Sequence, residues 1–185
     1  MNKINYVTFS SIPSSLPSSL QIIKTCENLS KNNHEITLIK PSTGSKKVSI
    51  KKYYGLKHKI DIKEFRGFDS FPQGFKFYLY SFYCLIFILK NKKSITITRN
   101  YFICYLLLLF NQQVILEIHH DTQYEGRVIK FLLKYLNFLN SKNLKNIIAI
   151  SFSVKNLFIK KYKVNSKKIT VLPSGSSIKI NKLPA

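Results

Sequence analysis

The chain has 185 residues, the size of one ordinary domain built around a single core. Hydrophobic residues make up 45% and charged residues 21%, a balance that excludes an intrinsically disordered chain. The formal net charge is +22, but arginine occurs only at three positions and lysine supplies the rest. Because base readout and bidentate phosphate contacts favour arginine, we do not expect nucleic acid as a partner. Two interpretations of the charge stay open: a solvated lysine face, or an anionic membrane surface as partner.

Three cysteines, Cys26, Cys84 and Cys104, lie in apolar stretches without the spacing of a metal or redox site. We therefore expect reduced core thiols and no metal. Residues 1–6 lack the apolar region and cleavage site of a signal peptide. The apolar runs 77–89 and 101–110 are shorter than the ~20 residues that span a bilayer. The expected location is cytoplasmic, with peripheral contact at the inner face of the cytoplasmic membrane as a further possibility.

The first forty residues predict a strand, a helix and a second strand. Residues 4–9 form a short apolar run that enters a Ser/Pro loop, which is typical of a buried strand. Ser18 or Ser19 is a candidate cap for the following helix, and Asn32 and Asn33 are candidates to end it in a left-handed conformation. Residues 36–39 predict the second strand. This order begins a doubly wound sheet.

The rest of the chain continues the alternation of strands and helices. Residues 41–52 predict a polar surface connection. Further strands are predicted at 59–63, 94–98, 114–117, 147–150 and 169–172, and helices at 75–90, 100–111, 126–140 and 153–162. The helix at 126–140 would carry one apolar stripe of Ile129, Leu132, Leu133, Leu136 and Leu139. The predicted fold class is α/β, with a Rossmann-like, doubly wound, mostly parallel sheet that has helices on both faces.

Four segments carry a likeness to a known family. They are His34-Glu35-Ile36-Thr37-Leu38-Ile39, Tyr53-Tyr54-Gly55-Leu56, Ile97-Thr98-Arg99-Asn100 with Val114-Ile115-Leu116-Glu117-Ile118-His119, and Ile148-Ala149-Ile150-Ser151 with Lys168-Ile169-Thr170-Val171-Leu172-Pro173-Ser174-Gly175. In this order and spacing they resemble the N-terminal, acceptor-side domain of the family 4 GT-B glycosyltransferases. The third segment is the most specific match. The resemblance covers essentially the whole chain and implies one half of a GT-B fold.

The resemblance also implies a domain organisation and a function. Residues 1–175 would be the N-terminal domain and residues 176–185 the start of an interdomain linker. The C-terminal domain that holds the donor in these enzymes would be absent, so we expect the chain alone to be inactive and to need a separate C-terminal GT-B half. The implied reaction is a retaining transfer of a sugar from a nucleotide-sugar to a glycan or lipid-linked acceptor, in cell-surface polysaccharide or glycoconjugate synthesis, without metal or other cofactor. The alternative is a non-catalytic module that binds glycans or a membrane surface.

His119 is the candidate catalytic residue. It follows a predicted strand at the carboxyl edge of the sheet, where open α/β sheets bind ligands, and in the family a histidine in this region contacts the donor sugar. Glu117 and Asp121 would orient His119 or accept a hydrogen bond from an acceptor hydroxyl. The alternatives are that His119 bonds only to backbone and that Glu117 is a buried structural carboxylate.

Further candidates for acceptor or donor binding lie at the same edge. Arg99 would meet an anionic acceptor group or a donor phosphate, or else pair with Glu117. Ser10 and Ser11 would donate to a donor phosphate, or else form a turn. Ser151 is predicted first as a helix start and second as a ligand contact. Ser174 and Gly175 lie where the family's chain passes to its second domain, with Ser174 at a position where asparagine is usual.

Aromatic residues lie on all sides of the predicted helix 75–90, more than one core-facing stripe requires. Two interpretations follow: contact with a membrane interface, or core packing with a patch that a second domain would cover.

Overall fold

A computed structural model describes residues 2–42, 49–67, 71–91 and 94–173. The predictions for Ser174, Gly175 and residues 176–185 lie outside this range.

The described residues form a seven-stranded sheet with helices on both faces, in the order β3-β2-β1-β4-β5-β6-β7. The strands are β1 Lys3–Val7, β2 Glu35–Pro41, β3 Asp61–Phe65, β4 Ser94–Thr98, β5 Gln113–Ile118, β6 Leu144–Ala149 and β7 Ile169–Val171. The helices are α1 Pro17–Lys31, α2 Ile50–Tyr54, α3 Gln73–Lys90, α4 Tyr101–Leu109, α5 Arg127–Tyr135 and α6 Phe152–Tyr162. Every described strand pairing is parallel. The predicted Rossmann-like α/β class is confirmed.

Alternation along β1 divides the core into two clusters, because successive side chains of a strand point to opposite faces. Tyr6 packs with the buried residues of α1, Ile22, Ile23 and Cys26, in one cluster. Val7 packs on the other face with residues from α3, α4, α5 and α6. Apolar burial on both faces explains why the strands read as apolar runs in the sequence.

The strand order reverses between β1 and β4. The chain first builds β1, β2 and β3 in one direction and then crosses to β4 on the other side of β1. In open parallel sheets the carboxyl ends of the strands at such a switch point form the ligand-binding crevice. The segments that follow β1 and β4 therefore face the position where a ligand is expected.

The start of α1 differs from the prediction. Leu16 is the N-cap residue, no side chain caps the helix, and Pro17 occupies its first turn. The prediction of Ser18 or Ser19 as the cap was wrong, since the fixed φ of proline suits the first helical position and places the start earlier. Asn33 has φ +62°, which confirms the predicted left-handed stop.

The predicted helix 126–140 is two elements. α5 ends at Tyr135, Asn137 takes a left-handed conformation with φ +42°, and a short 3-10 turn follows at Phe138–Asn140. Leu139 is buried through that turn, but Leu136 is 42% exposed, so its place in the core stripe was wrong. Asparagine tolerates the left-handed region, which allows the break.

Residues 49–55 correct the prediction of a plain surface connection. Ser49 caps the short helix α2, and Gly55 ends it with φ +63°, a conformation that favours glycine. Ile50 is buried in the α1 cluster. Residues 43–48 lie outside the described range.

None of the described helices combines the length and the apolar character that a membrane-spanning helix requires.

Candidate functional site

Glu117 is the centre of a buried polar cluster at the carboxyl edge of the sheet. Its neighbours Leu116 and Ile118 point into the α3–α6 cluster, so alternation turns Glu117 toward the face of Tyr6. Glu117 Oε2 accepts hydrogen bonds from Tyr6 Oη at 2.9 Å and from Arg99 Nε at 2.8 Å. His119 Nε2 lies 3.5 Å from the same oxygen. One carboxylate thus fixes side chains that follow or belong to β1, β4 and β5.

The charges in this cluster are set by burial and by these contacts. Burial alone would raise the pKa of Glu117, but the hydrogen bonds and charges of His119, Arg99 and Tyr6 outweigh it and hold the pKa below its ordinary value. Burial first, and then the nearby Glu117 carboxylate, raise the pKa of the Tyr6 hydroxyl well above its usual range. At neutral pH the cluster therefore holds an ionised Glu117 and a neutral Tyr6.

A cavity of about 310 Å³ opens beside this cluster at the switch point. Its lining comes from the end of β1, the end of β4 with the start of α4, and from α3 and α5. The lining residues are Val7, Thr8, Phe9, Ser10, Phe77, Arg99, Asn100, Tyr101, Glu125 and Ile129. Arg99 belongs both to the Glu117 cluster and to the cavity wall, so it connects the two.

Asn100 was not among the residues predicted for the site. Its Oδ1 accepts from the backbone N–H groups of Phe102 at 2.9 Å and Ile103 at 3.1 Å, which caps α4. Its Nδ2 is buried and has no hydrogen-bond partner among the described residues, and the same is true of Arg99 Nη2. The position of Asn100 before an apolar helix signals a cap, but the unpartnered state of its Nδ2 is visible only in three dimensions.

Comparison with known proteins assigns the fold to a family. The family model described as Glycosyltransferase Family 4 matches residues 20–178. The chain belongs to glycosyltransferase family 4.

Solved GT-B glycosyltransferases share the fold of this family 4 chain. A glycosyltransferase from Rickettsia africae matches with TM-score 0.61 and 21% identity over 93% of this chain and 42% of its own. HepE from Anabaena, in complex with UDP and glucose, matches with TM-score 0.63 and 12% identity over 95% and 45%. The lipopolysaccharide outer core galactosyltransferase WaaB matches with TM-score 0.59 and 14% identity over 97% and 47%. The chain thus spans less than half the length of these structures, consistent with an N-terminal half. No curated protein sequence matched significantly.

Within the family 4 domain, two of the predicted site residues, Arg99 and His119, meet at Glu117, whereas Asp121 does not. His119 is partly exposed and its Nε2 faces Glu117, as one of the predicted arrangements required. Arg99 forms the ion pair with Glu117 that was one of its two predicted roles. Asp121 contacts Lys161 Nζ at 3.2 Å instead of His119, and this contact outweighs burial and lowers the pKa of Asp121.

Of the three predicted serines that the structure describes, one lines the cavity and two make local backbone contacts in a turn and a helix cap. Ser10 lines the cavity, and its backbone N–H donates to Thr8 Oγ1 at 3.0 Å. Ser11 is exposed, and its carbonyl accepts from Ser19 Oγ at 3.0 Å, which fits a turn. Ser151 caps α6 by accepting from Val154 N at 3.2 Å, which confirms its role as a helix start. Within the described ranges, no three His, Cys, Asp or Glu side chains group as metal ligands would.

Proposed function

We propose that this domain is the acceptor-binding half of a retaining glycosyltransferase that moves a sugar from a nucleotide-sugar to a glycan or lipid-linked acceptor. The pathway we propose is the synthesis of cell-surface polysaccharide or glycoconjugate. Residues 1–175 would form the acceptor domain, and a C-terminal GT-B half would hold the donor.

The observation that carries this proposal is the Glu117 cluster beside the cavity at the switch point. Transfer requires an acceptor hydroxyl to be held against the anomeric carbon of the donor sugar. The cavity offers a bounded space for the acceptor. His119 stands at the rim of the same edge, with its Nε2 side directed at Glu117. A carboxylate only accepts hydrogen bonds, so this contact favours the tautomer of His119 that carries a hydrogen on Nε2.

The proposed role of His119 is contact with the donor sugar at the opening between the two halves. Glu117 and Arg99 would hold it in place rather than touch the donor. The developing negative charge on the leaving diphosphate would be stabilised by cationic side chains and helix N-termini of the C-terminal half, without a bound metal. Within the domain, Ser10 is the better placed of the two serines after β1 to contact a ligand, because it lines the cavity.

The solved relatives support the substrate classes proposed. HepE was crystallised with UDP and glucose, and WaaB is a galactosyltransferase of the lipopolysaccharide outer core. By analogy, a UDP-sugar donor and a glycan on a lipid carrier are the first substrates to test.

The test is to reconstitute the two halves. The coding DNA beyond the codon for Ala185 is read in all frames for a second Rossmann-like domain. That half is then co-expressed with this chain, and UDP release from UDP-glucose is measured with a cell-envelope extract as acceptor. We expect UDP release from the pair and none from either half alone. The proposal that this chain works with a separate C-terminal half would be overturned if no such half is encoded, or if the pair is inactive with every UDP-sugar of a panel.

A second proposed function, contact with an anionic membrane surface, has its own observation. On α5, Phe131 is 56% and Tyr135 61% exposed, and their rings lie 5.0 Å apart. Lys130 and Lys134 are exposed on the same helix, and Lys134 Nζ lies 5.1 Å from the Tyr135 ring. Aromatic rings flanked by lysines are typical of interfacial helices. We call this surface the α5 patch, and it supports a peripheral location at the inner face of the cytoplasmic membrane.

A further inference from the structure

A second cavity, of about 800 Å³, is lined by α5, the turn that follows it and the end of α6. It shares no lining residue with the cavity at the switch point. Its volume falls within the range of roughly 300–1,000 Å³ that small-molecule sites occupy. The lining residues are Thr122, Lys130, Leu133, Lys134, Asn137, Asn140, Lys161, Tyr162 and Lys163. We call this space the α5–α6 cavity.

The α5–α6 cavity is strongly basic. Four of its described lining residues are lysines and none is acidic. Lys161 Nζ has a carboxylate partner, Asp121 Oδ1 at 3.2 Å. Within the described ranges, Lys130, Lys134 and Lys163 form no ion pair. Ammonium groups around one space repel one another, and an anion between them reverses the sign of that interaction. The lining therefore offers uncompensated positive charge to an anionic ligand.

Stabilisation of helix ends accounts for only part of this lysine cluster. Lys134 and Lys161 lie in the last turns of α5 and α6, where a cation interacts favourably with the helix dipole. Lys130 lies earlier in α5. Lys163 ends α6 with φ +53°, whereas the other described residues with positive φ are asparagine or glycine. Lysine tolerates this left-handed region poorly, so the end of the helix does not explain its presence beside the cavity.

Hydrogen bonds hold the wall beside the lysines in place. Thr122 is 1% exposed, and its Oγ1 contacts both Tyr162 Oη and, at 3.2 Å, Lys161 Nζ. Asn140 Nδ2 donates to Asn137 Oδ1 at 2.7 Å, so the Nδ2 group of Asn137 remains a donor for a ligand. Apart from Leu133, every described lining residue carries a polar group on its side chain. Such a lining favours a phosphate joined to a small polar group over a bulky apolar ligand.

The cavity adjoins the α5 patch. Lys130 and Lys134 belong to both, and they lie one turn apart on α5. Phe131 and Tyr135 each follow one of these lysines, so the aromatic stripe lies about 100° around the helix from the lysine stripe. If the rings entered the acyl boundary of a membrane, the cavity would lie beside the lipid headgroups.

We infer that the α5–α6 cavity binds the phosphate ester of a small hydroxylated group, with Lys130, Lys161 and Lys163 around the phosphate. Lysine binds phosphate as a point charge, so this recognition does not require arginine. A lipid headgroup such as that of phosphatidylglycerol and a free glycerol or sugar phosphate both offer this chemistry. The site goes beyond the proposed sugar transfer, and only its occupation by a lipid rests on the proposed membrane contact.

Two lysines of α6 allow the cavity to be tested apart from the α5 patch. The cavity double variant combines Lys161→Gln with Lys163→Asn, and asparagine suits the left-handed end of α6. The control double variant combines Lys160→Gln with Lys167→Gln, which removes the same net charge from exposed positions outside the lining. Phe131→Ser removes a ring of the patch and keeps all four lysines of the cavity. Thermal unfolding verifies that each variant is folded.

The purified chain is titrated with glycerol 3-phosphate, inorganic phosphate and uncharged glycerol, and binding is followed by ¹⁵N chemical shifts. Co-sedimentation with phosphatidylglycerol/phosphatidylcholine vesicles and with phosphatidylcholine vesicles alone tests the lipid source. We expect glycerol 3-phosphate to shift amides near Asn140 and Lys163 rather than near Ser10, and glycerol to shift none. The cavity double variant should weaken glycerol 3-phosphate and the anionic vesicles about fivefold or more, and the control double variant less than about twofold. Phe131→Ser should weaken only the vesicles.

The outcomes separate the cavity from the α5 patch. Equal losses in the two double variants would show that the net charge of +22 attracts anions without a site, and would overturn the inference. Shifts confined to amides near Ser10 would overturn it too. If glycerol 3-phosphate binds as expected but the vesicles do not, the cavity takes a free phosphate ester and the membrane proposal fails. If the vesicles bind through Phe131 and the cavity double variant changes nothing, the inference fails and the membrane proposal stands. Absence of binding to every probe removes both.

Discussion

Tyr6 on β1 donates a 2.9 Å hydrogen bond to Glu117 on β5, across the intervening strand β4. The two residues are 111 positions apart in the chain, and their contact joins the two halves of the sheet at the point where the strand order reverses. Arg99, which follows β4, completes the bridge through its own bond to Glu117. The polar cluster therefore holds the framework together at the same place where it positions His119.

Replacement of Glu117 should destabilise the domain. Glu117→Gln keeps the size of the side chain but removes the charge that Arg99 and Tyr6 hydrogen-bond, and such bonds contribute roughly 1.5–3 kcal/mol each. We expect a loss of about 2–4 kcal/mol in the free energy of unfolding, measured by urea denaturation. Glu35→Gln, which removes an exposed partner of Lys3, is the control and should change stability by about 0.5 kcal/mol or less. Equal effects of the two variants would contradict the role given to Glu117.

The stability should depend on pH through the same carboxylate. Because the pKa of folded Glu117 lies below its ordinary value, its contribution is complete above about pH 4.3, the usual pKa of glutamate, and is lost as the pH falls through the lowered pKa. The stability difference between the wild type and Glu117→Gln should therefore be largest at neutral pH and shrink toward pH 3. Thermal unfolding of both proteins from pH 7 to pH 3 measures it. A constant difference would mean that Glu117 is not ionised in the folded chain.

His119 should matter for transfer and little for folding. In the reconstituted pair, His119→Ala should lower the rate of UDP release roughly a hundredfold, the range typical for loss of a positioned catalytic group. The cost to stability should be about 1 kcal/mol or less, because His119 contacts Glu117 at the long distance of 3.5 Å. The neighbouring His120, whose side chain is largely exposed beside Glu125, provides the control: His120→Ala should retain near-normal activity. Similar losses for both histidines would remove the special role of His119.

Replacement of Ser151 should distinguish a helix-capping role from a ligand contact. Ser151→Ala removes the acceptor for Val154 N and should cost about 1 kcal/mol of unfolding free energy, without a change in the KM for UDP-glucose in the reconstituted pair. Ser153→Ala, at an exposed position within α6, should be close to neutral in both measurements. A raised KM in Ser151→Ala at unchanged stability would assign Ser151 to the ligand instead.

The α5 patch predicts binding to anionic vesicles. Phe131→Ser should reduce co-sedimentation with vesicles of phosphatidylglycerol and phosphatidylcholine at least threefold, since it removes an exposed ring from the interfacial face. Phe152→Ser is the control because Phe152 is 71% exposed but lies on α6, outside the patch. Binding should also fall as salt is raised, because the lysine contribution is screened. Failure of the wild type to bind these vesicles at low salt would remove the proposal.

The sequence predicted the order of elements because each strand and helix carries its own local signal. Residues 94–98 match β4, and Asn33 ends α1 in the predicted left-handed conformation. The failures were also local: Pro17 moved the start of α1, and the left-handed Asn137 broke the predicted helix directly after Leu136, which is left exposed. In each case a single residue with a special backbone conformation outweighed the periodic pattern around it.

The candidate site was less predictable than the fold because its contacts are long-range. The carboxyl-edge rule located His119, Arg99 and Glu117, since parallel strands end at one edge. Tyr6 was not found, because a tyrosine inside an apolar run reads as a core residue until its hydroxyl partner is known. Lys40 was also not found. Its side chain is 1% exposed and pairs with Glu64 at 2.8 Å, between the neighbouring strands β2 and β3, whose alignment cannot be read from the sequence.

The three cysteines lie on both faces of the sheet, so their reactivity can show which face of the domain unfolds first. Cys26 is buried in the α1 cluster, whereas Cys84 and Cys104 are buried in the α3–α6 cluster. Burial raises the pKa of each thiol, so in the closed domain all three resist alkylation. A pulse of iodoacetamide during unfolding would therefore label the exposed thiols first. The order in which Cys26, Cys84 and Cys104 are alkylated would show which layer of helices separates first from the strands.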